Sequence, residues 1–263
     1  MSNPLEARPQ SRRPNRAVSA RRSGPSTLSI DIGGTHIKAS VLDPTGAMIA
    51  PRVEVPTPSP GTPENVLRLI KSMAADLPAF GRISAGFPGV VKDGRVFTAP
   101  NLGTQFWRGV NLAAELTKQL GAPARALNDA AVQGLGVVEG HGLECVITLG
   151  TGVGCALYRH RRLILPLELG QSRARGKKTY DQYLGNAALE TKGRANWNRR
   201  LGKALVQIQS LVNYDMLYVG GGNARKIDLD LPDNVKIVSN TAGITGGVRL
   251  WDPDMEEYFL PTS

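Results

Sequence analysis

At 263 residues, 41% of them apolar, the chain can bury a substantial core as one large domain or two lobes. It has no run approaching 18 apolar residues and no signal-peptide apolar region, so it reads as neither membrane-spanning nor exported by that route. The net charge of +10 is uneven: residues 1–27 hold Arg8, Arg12, Arg13, Arg16, Arg21 and Arg22 against the single acid Glu6, half the excess on a tenth of the chain. This Pro- and Ser-rich stretch lacks apolar periodicity and is expected to be a disordered basic tail, either merely solvated or recruiting a polyanion. Its four prolines oppose the amphipathic helix of an organellar transit peptide. Two cysteines, Cys145 and Cys155, form no CxxC pair, which excludes a disulfide framework and structural zinc and suits a reducing, cytoplasmic setting; both read as core residues.

In chain order, an apolar strand at 28–32 ends on Asp31 and enters the turn Gly33-Gly34-Thr35, followed by a strand at 37–42 that carries Lys38. Strands are expected at 48–55 and 82–87, with a helix at 64–76 placed by the start signal Thr62-Pro63-Glu64. A helix from Asn111 to Leu120, a short strand from Ala124 to Leu127 and a helix opening at Asp129 come next. The segment Val146–Gly154 then repeats the first device: an apolar strand, the turn Gly150-Thr151-Gly152, and a second strand from Cys155 to Tyr158. Trp197, Leu201, Leu205, Ile208, Leu211 and Val212 recur at helical spacing and read as the core stripe of a long amphipathic helix. That helix leads into a strand, Met216–Val219, and the turn Gly220-Gly221-Gly222-Asn223.

A two-glycine turn between strands is either an ordinary hairpin or a phosphate cradle. Without a Cβ at Gly33 and Gly34, backbone N–H groups can approach anionic oxygens, Thr35 adds a hydroxyl, and Asp31 can hold a divalent cation through water. The second copy, more than 100 residues on, favours the cradle: two lobes facing one phosphate chain across a cleft. Asp129, between a strand and a helix, is by local pattern either a helix cap or a carboxylate held for general-base work. Lys38 is either an outward strand lysine or a point charge for phosphate.

The motifs Asp31-Ile-Gly-Gly-Thr35, Asn128-Asp129-Ala130, Leu149-Gly-Thr-Gly152, Glu168-Leu-Gly170 and Gly220-Gly-Gly222 stand in the order seen in sugar kinases of the ROK family. Over roughly residues 28–252 the chain most resembles their short polyphosphate/ATP-glucokinase branch. The resemblance implies an α/β, actin-like (ribonuclease H-like) two-lobe fold, duplicated, with lobes at 28–130 and 131–252 and a C-terminal tail at 253–263. It implies phosphoryl transfer from polyphosphate or ATP to the C6 hydroxyl of glucose, with Mg²⁺ oriented by Asp31 and Asp129 as general base. Asn128 and Glu168 are carried over as sugar ligands, as is Asn101, which reads equally as a turn residue. Gly33, Gly34, Thr35, Lys38, Thr151 and Gly152 would hold donor phosphates, and Gly220, Gly221, Gly222 and Asn223 would lie against an adenosine.

Two departures from the family pattern matter. Gln171 stands where many relatives have histidine, and the cysteine-rich zinc motif that often follows is missing, so no zinc is expected. Gln171 still hydrogen-bonds a sugar but leaves the hexose open among glucose, mannose and amino sugars. Basic residues Arg173, Arg175, Lys177 and Lys178, extended by Arg194, Arg199 and Arg200, read as the edge of a polyphosphate groove or as a solvated loop. The family also contains non-catalytic sugar sensors, but residues 1–27 are too short and too Pro-rich for their helix-turn-helix module. A nucleic-acid binder is opposed by 5% aromatic content, which gives no stacking platform. Family members are often homodimers, a state on which the sequence is silent.

Overall fold

The computed structural model describes residues 24–239 and 241–259. Most of the basic tail, residues 1–23, lies outside the described residues, as do the last four residues. Among the described residues no helix is long and apolar enough to cross a membrane.

Two five-stranded sheets carry the chain, built to one plan. The first comprises β1 (Thr27–Ile32), β2 (His36–Leu42), β3 (Val53–Pro56), β4 (Arg82–Phe87) and β7 (Ala124–Asn128), in the order β3-β2-β1-β4-β7. A two-stranded ribbon, β5 (Val91–Lys92) and β6 (Arg95–Val96), lies between the last two. The second sheet holds β8 (Leu143–Leu149), β9 (Val153–Arg159), β10 (Arg162–Leu167), β13 (Met216–Gly220) and β14 (Val235–Ile237), in the order β10-β9-β8-β13-β14. The ribbon β11 (Arg173–Arg175) and β12 (Lys178–Thr179) interrupts it in sequence. In each sheet three antiparallel strands are followed by two parallel ones added beside the first. The duplication expected from the two glycine turns is therefore present strand for strand.

Helices close the faces. In the first half, α1 (Pro63–Ala75) and α3 (Leu112–Leu120) bury Val66, Leu67, Ile70, Met73, Leu112 and Leu116 against Leu28, Ile30 and Ile83. Their starts follow the sequence signals: Thr62 caps α1 with Pro63 just inside, and Asn111 caps α3. The one-turn α2 (Thr104–Trp107) seals that core with Trp107, whose indole N–H donates to the Gly61 carbonyl at 2.7 Å. In the second half, α5 (Tyr180–Leu184) and α6 (Asn186–Val212) cover β8 and β13 with Tyr180, Trp197, Leu201, Leu205 and Ile208.

The middle layer is α4 (Asp129–Leu135), whose Ala131, Val132 and Leu135 pack with Val146, Ala156, Tyr158 and Tyr218 of the second sheet. After β14 the chain returns to the first sheet through α7 (Ala242–Thr245) and a 3₁₀ segment, Gly246–Trp251. There Ser29 donates to the Ile244 carbonyl and Ser84 to the Gly247 carbonyl, both at 2.7 Å, so the polar face of β1 and β4 is satisfied by this return. The crossing is tight: a Cβ on Gly246 would lie 2.0 Å from the Val132 carbonyl oxygen of α4. Gly246→Ala is therefore expected to cost about 1–3 kcal/mol by overpacking, read from the urea midpoint.

Several expectations change in detail. The strand expected at 48–55 begins only at Val53; before it, Met48 makes an isolated bridge to Leu42. In α6, Gly193 leaves helical geometry at φ 73°, so the apolar stripe belongs to the part beyond that kink. Leu211, read as core, is 72% exposed: Val212, not Leu211, continues the line of Leu201, Leu205 and Ile208 and packs against that core, leaving Leu211 at the edge of the stripe. β1 begins at Thr27, inside the stretch read as tail, and Met255 of the segment read as C-terminal tail is buried against the middle layer. Cys145 and Cys155 are fully buried, with free thiols 3.8 Å apart.

Candidate active site

A cleft of about 640 Å³ opens where the two sheets present their glycine turns. The turns occupy equivalent places in the two halves, Gly33–Thr35 between β1 and β2 and Gly150–Gly152 between β8 and β9. They meet: the Thr35 and Thr151 hydroxyls are 2.8 Å apart. Each turn is held by its own backbone, through Gly33 N–H to the His36 carbonyl and Gly150 N–H to the Gly152 carbonyl. Gly34 has no room for a side chain, since a Cβ there would lie 2.9 Å from the Cβ of Asn101, which also lines the cleft. That packing explains the bare turn as well as phosphate access does.

Asp129 lines the same cleft, at the head of the middle layer. The helix cap is Asn128, whose side-chain oxygen accepts from Ala131 N–H at 3.2 Å while its amide donates to the Gly89 carbonyl. The Asp129 carboxylate, relieved of capping, accepts only the neighbouring Ala130 N–H among the hydrogen bonds found. Burial, then the charges of Asp31 and Glu168, raise its pKa to about 7, which places a proton acceptor at neutral pH.

The other predicted residues converge on the same space. Lys38, opposite Asp31 in the β1–β2 register, points inward and lies 3.4 Å from its carboxylate. Glu168 accepts from the Thr98 hydroxyl at 3.1 Å, and burial raises its pKa. Gln171 also lines the cleft, its amide donating at 2.7 Å to Asp181. In the glycine run at the end of β13, Gly221 and Gly222 line the cleft, and Gly221, at φ 86°, lies so close to the Leu149 backbone that a Cβ would come within 2.4 Å. Asn223, expected against an adenosine, is buried and donates to the Gly150 carbonyl at 3.3 Å, tying this turn to the second cradle.

Asp181 and Thr98 escaped the sequence reading. Asp181 accepts from Val153 N–H at 2.7 Å as well as from Gln171, so one carboxylate joins the second glycine turn to the sugar segment. A Cβ on Gly152 or Gly170 would collide with its side chain. Burial raises its pKa too. The available signal was the capping box of Thr179 and Gln182, which starts α5 and aims Asp181 from its first turn.

This geometry sets the comparisons with known proteins. The ROK family matches residues 27–165, more than half the chain. The chain belongs to the ROK family. Along 239 residues this ROK protein is 31% identical to a polyphosphate glucokinase of Mycobacterium tuberculosis, covering 83% of the chain and 88% of the relative. It is similar to the solved inorganic polyphosphate/ATP-glucomannokinase of Arthrobacter sp. strain KM, with TM-score 0.77 and 30% identity over 85% of this chain and 97% of that one. A ROK family glucokinase of Streptomyces griseus, solved with glucose and AMPPNP, superposes with TM-score 0.72 at 22% identity, covering 86% and 98% of the two chains. The fold is thus the actin-like, ribonuclease H-like two-lobe fold that the duplicated sheets describe.

Proposed function

We propose that this ROK protein is a hexokinase-type phosphotransferase that moves a phosphoryl group from polyphosphate or ATP to the C6 hydroxyl of glucose. The observation that carries this reading is Asp129, a carboxylate with pKa about 7 that shares one cleft with both glycine turns and with the polar groups Asn101, Asn128, Glu168 and Gln171. Asp129 accepts the C6 hydroxyl proton as that oxygen attacks the terminal phosphorus. Asn128, Glu168, Gln171 and Asn101 orient the sugar, and Thr98 and Asp181 fix Glu168 and Gln171 before it arrives. Gly33, Gly34, Thr35, Thr151 and Gly152 approach the donor phosphates, with Lys38 as a point charge.

Magnesium fits this donor set. Among the described residues no cluster of three or more His, Cys, Asp and Glu could cage a metal, so an ion here would keep most of its water and borrow phosphate oxygens. Asp31 faces the cleft beside Gly243, where a Cβ would come 3.3 Å from the carboxylate, so space is left there. When bound, the ion would neutralise charge on the transferred phosphoryl group. Asp31 would hold it through water, and Lys38 would exchange the carboxylate for phosphate.

The polyphosphate arm of the reading rests on a second recess of about 490 Å³, on the far side of α5. Arg175, Lys177 and Lys178 meet Arg199, Arg200 and Lys203 of α6 there, and among the described residues none of the six is in an ion pair. Arg200 lies over the Tyr183 ring at 5.0 Å and donates to the Tyr183 carbonyl at 3.3 Å, which fixes its guanidinium at the recess. Six cations around one concavity, none in an ion pair among the described residues, suit a long polyanion.

The testing experiment is glucose 6-phosphate formation with ATP or long-chain polyphosphate. Product is expected with both donors in the presence of Mg²⁺; product with neither, alongside intact glucose binding, would instead make the protein a sugar sensor. Activity is expected to rise with pH as Asp129 loses its proton, with a midpoint below the metal-free value of about 7 because Mg²⁺ beside Asp31 would offset that carboxylate's charge. A rate that falls as pH rises from 5 to 7 would exclude Asp129 as the base.

A further inference from the structure

Among the described residues, one buried side-chain polar atom lacks a hydrogen-bond partner: the amide nitrogen of Gln133. Gln133 is 5% exposed and lines the cleft. It follows Asp129 by four residues on α4, so both side chains project from one face of the helix. Its amide rests on the bare Cα of Gly220: a Cβ there would lie 2.2 Å from the Gln133 Nε2. Gly220 adjoins Gly221, which packs on Leu149 at the base of the second glycine turn. Gln133 therefore stands on the phosphate side of Asp129. The sugar-side groups Asn128, Glu168 and Gln171 already have partners, whereas this donor has none.

A buried amide donor without an acceptor carries the full cost of its lost hydration. Its terminal torsion is broad and nearly two-fold, so the NH₂ group swings toward the cleft at little cost once an acceptor arrives there. The acceptor must be oxygen-rich and must tolerate Asp31 and Asp129 close by. A phosphate chain meets both conditions. An uncharged donor is also the suitable kind: a cation at this position would pair with Asp129 and lower the pKa that makes it a base at neutral pH.

We propose that the Gln133 side-chain amide contacts a non-transferred phosphate oxygen of the donor. The chemistry is common to a nucleoside triphosphate and to inorganic polyphosphate. The proposal rests on the phosphotransferase reading for its kinetic arm only.

The decisive variants are Gln133→Leu, close in shape and apolar, Gly220→Ala, which displaces the amide, and the pair combined. Ligand-free Gln133→Leu is expected to melt no lower than wild type, since no native hydrogen bond is lost. Its KM for glucose should be unchanged, while kcat/KM falls about 10–100-fold with ATP and with polyphosphate alike. The thermal shift given by tripolyphosphate or AMPPNP should shrink, and Gly220→Ala should add little to Gln133→Leu. Unchanged donor parameters in a normally melting variant would overturn the proposal, as would a loss confined to one donor. A lower melting temperature with glucose and donor affected equally would mark Gln133 as structural; where leucine is not accommodated, Gln133→Ala carries the same comparison. If wild type forms no glucose 6-phosphate, the kinase reading fails, and the tripolyphosphate shift still decides the role of Gln133.

Discussion

Asp129→Ala is expected to lower phosphoryl transfer to glucose by roughly 10²–10⁴-fold, the range for loss of a general base, and to leave glucose affinity within a few-fold. The split follows from the geometry. Asn128, not Asp129, caps α4, so removing the Asp129 carboxylate leaves the helix start and the sugar-side hydrogen bonds in place. Glucose titration by intrinsic fluorescence and a coupled assay read the two halves separately; a variant as active as wild type would overturn the assignment. Stability supplies an independent check. A carboxyl group whose pKa rises on folding holds its proton more tightly when folded, so between about pH 4 and 7 the ligand-free protein loses stability as pH rises. Asp129→Asn removes that burden. Without Mg²⁺ it should melt about 2–4 °C above wild type at pH 8, with the two curves converging near pH 4.

Reversing charge in the basic recess is expected to separate the two donors. In a variant carrying Lys177→Glu, Arg199→Glu and Lys203→Glu, kcat/KM for long-chain polyphosphate should fall by about 10²-fold or more at low salt, while that for ATP changes less than about threefold. All three side chains line the recess and none is in an ion pair among the described residues, so the fold has little to lose. Raising the salt should reproduce the polyphosphate loss in wild type. Equal loss with both donors, or no loss with polyphosphate, would assign the recess no part in donor binding.

What could be read from the chain alone divides by sequence distance. The two glycine turns and the capped starts of α1 and α3 were legible because each is a contiguous segment whose local chemistry fixes its geometry, whereas at Asn128-Asp129 local pattern pointed to Asp129 as the cap, a place Asn128 takes. Asp181 was not, because its meaning comes from Val153, 28 residues earlier, and from glycines spaced to admit it. Thr98 reaches Glu168 across 70 residues. Leu211 fits a three-or-four spacing yet faces solvent, since that spacing admits two neighbouring positions per turn and only Val212 lies on the buried line. The same blindness hid the use of Gly220 and Gly221, whose turn packs against Gln133 and Leu149.

The duplicated sheets end unequally. In the first, the outer parallel strand β7 runs out at Asn128 into Asp129; in the second, its counterpart β14 runs out at Ile237 into Val238 and Ser239, with no acid. Both halves keep a glycine turn, but one alone has an ionisable group at the corresponding strand end. A symmetric scaffold thereby acquires a direction. On the proposed reading, a polyphosphate chain, whose two ends are chemically alike, would react only where its terminal phosphorus lies beside Asp129, so the asymmetry of the protein would supply the polarity that the donor itself lacks.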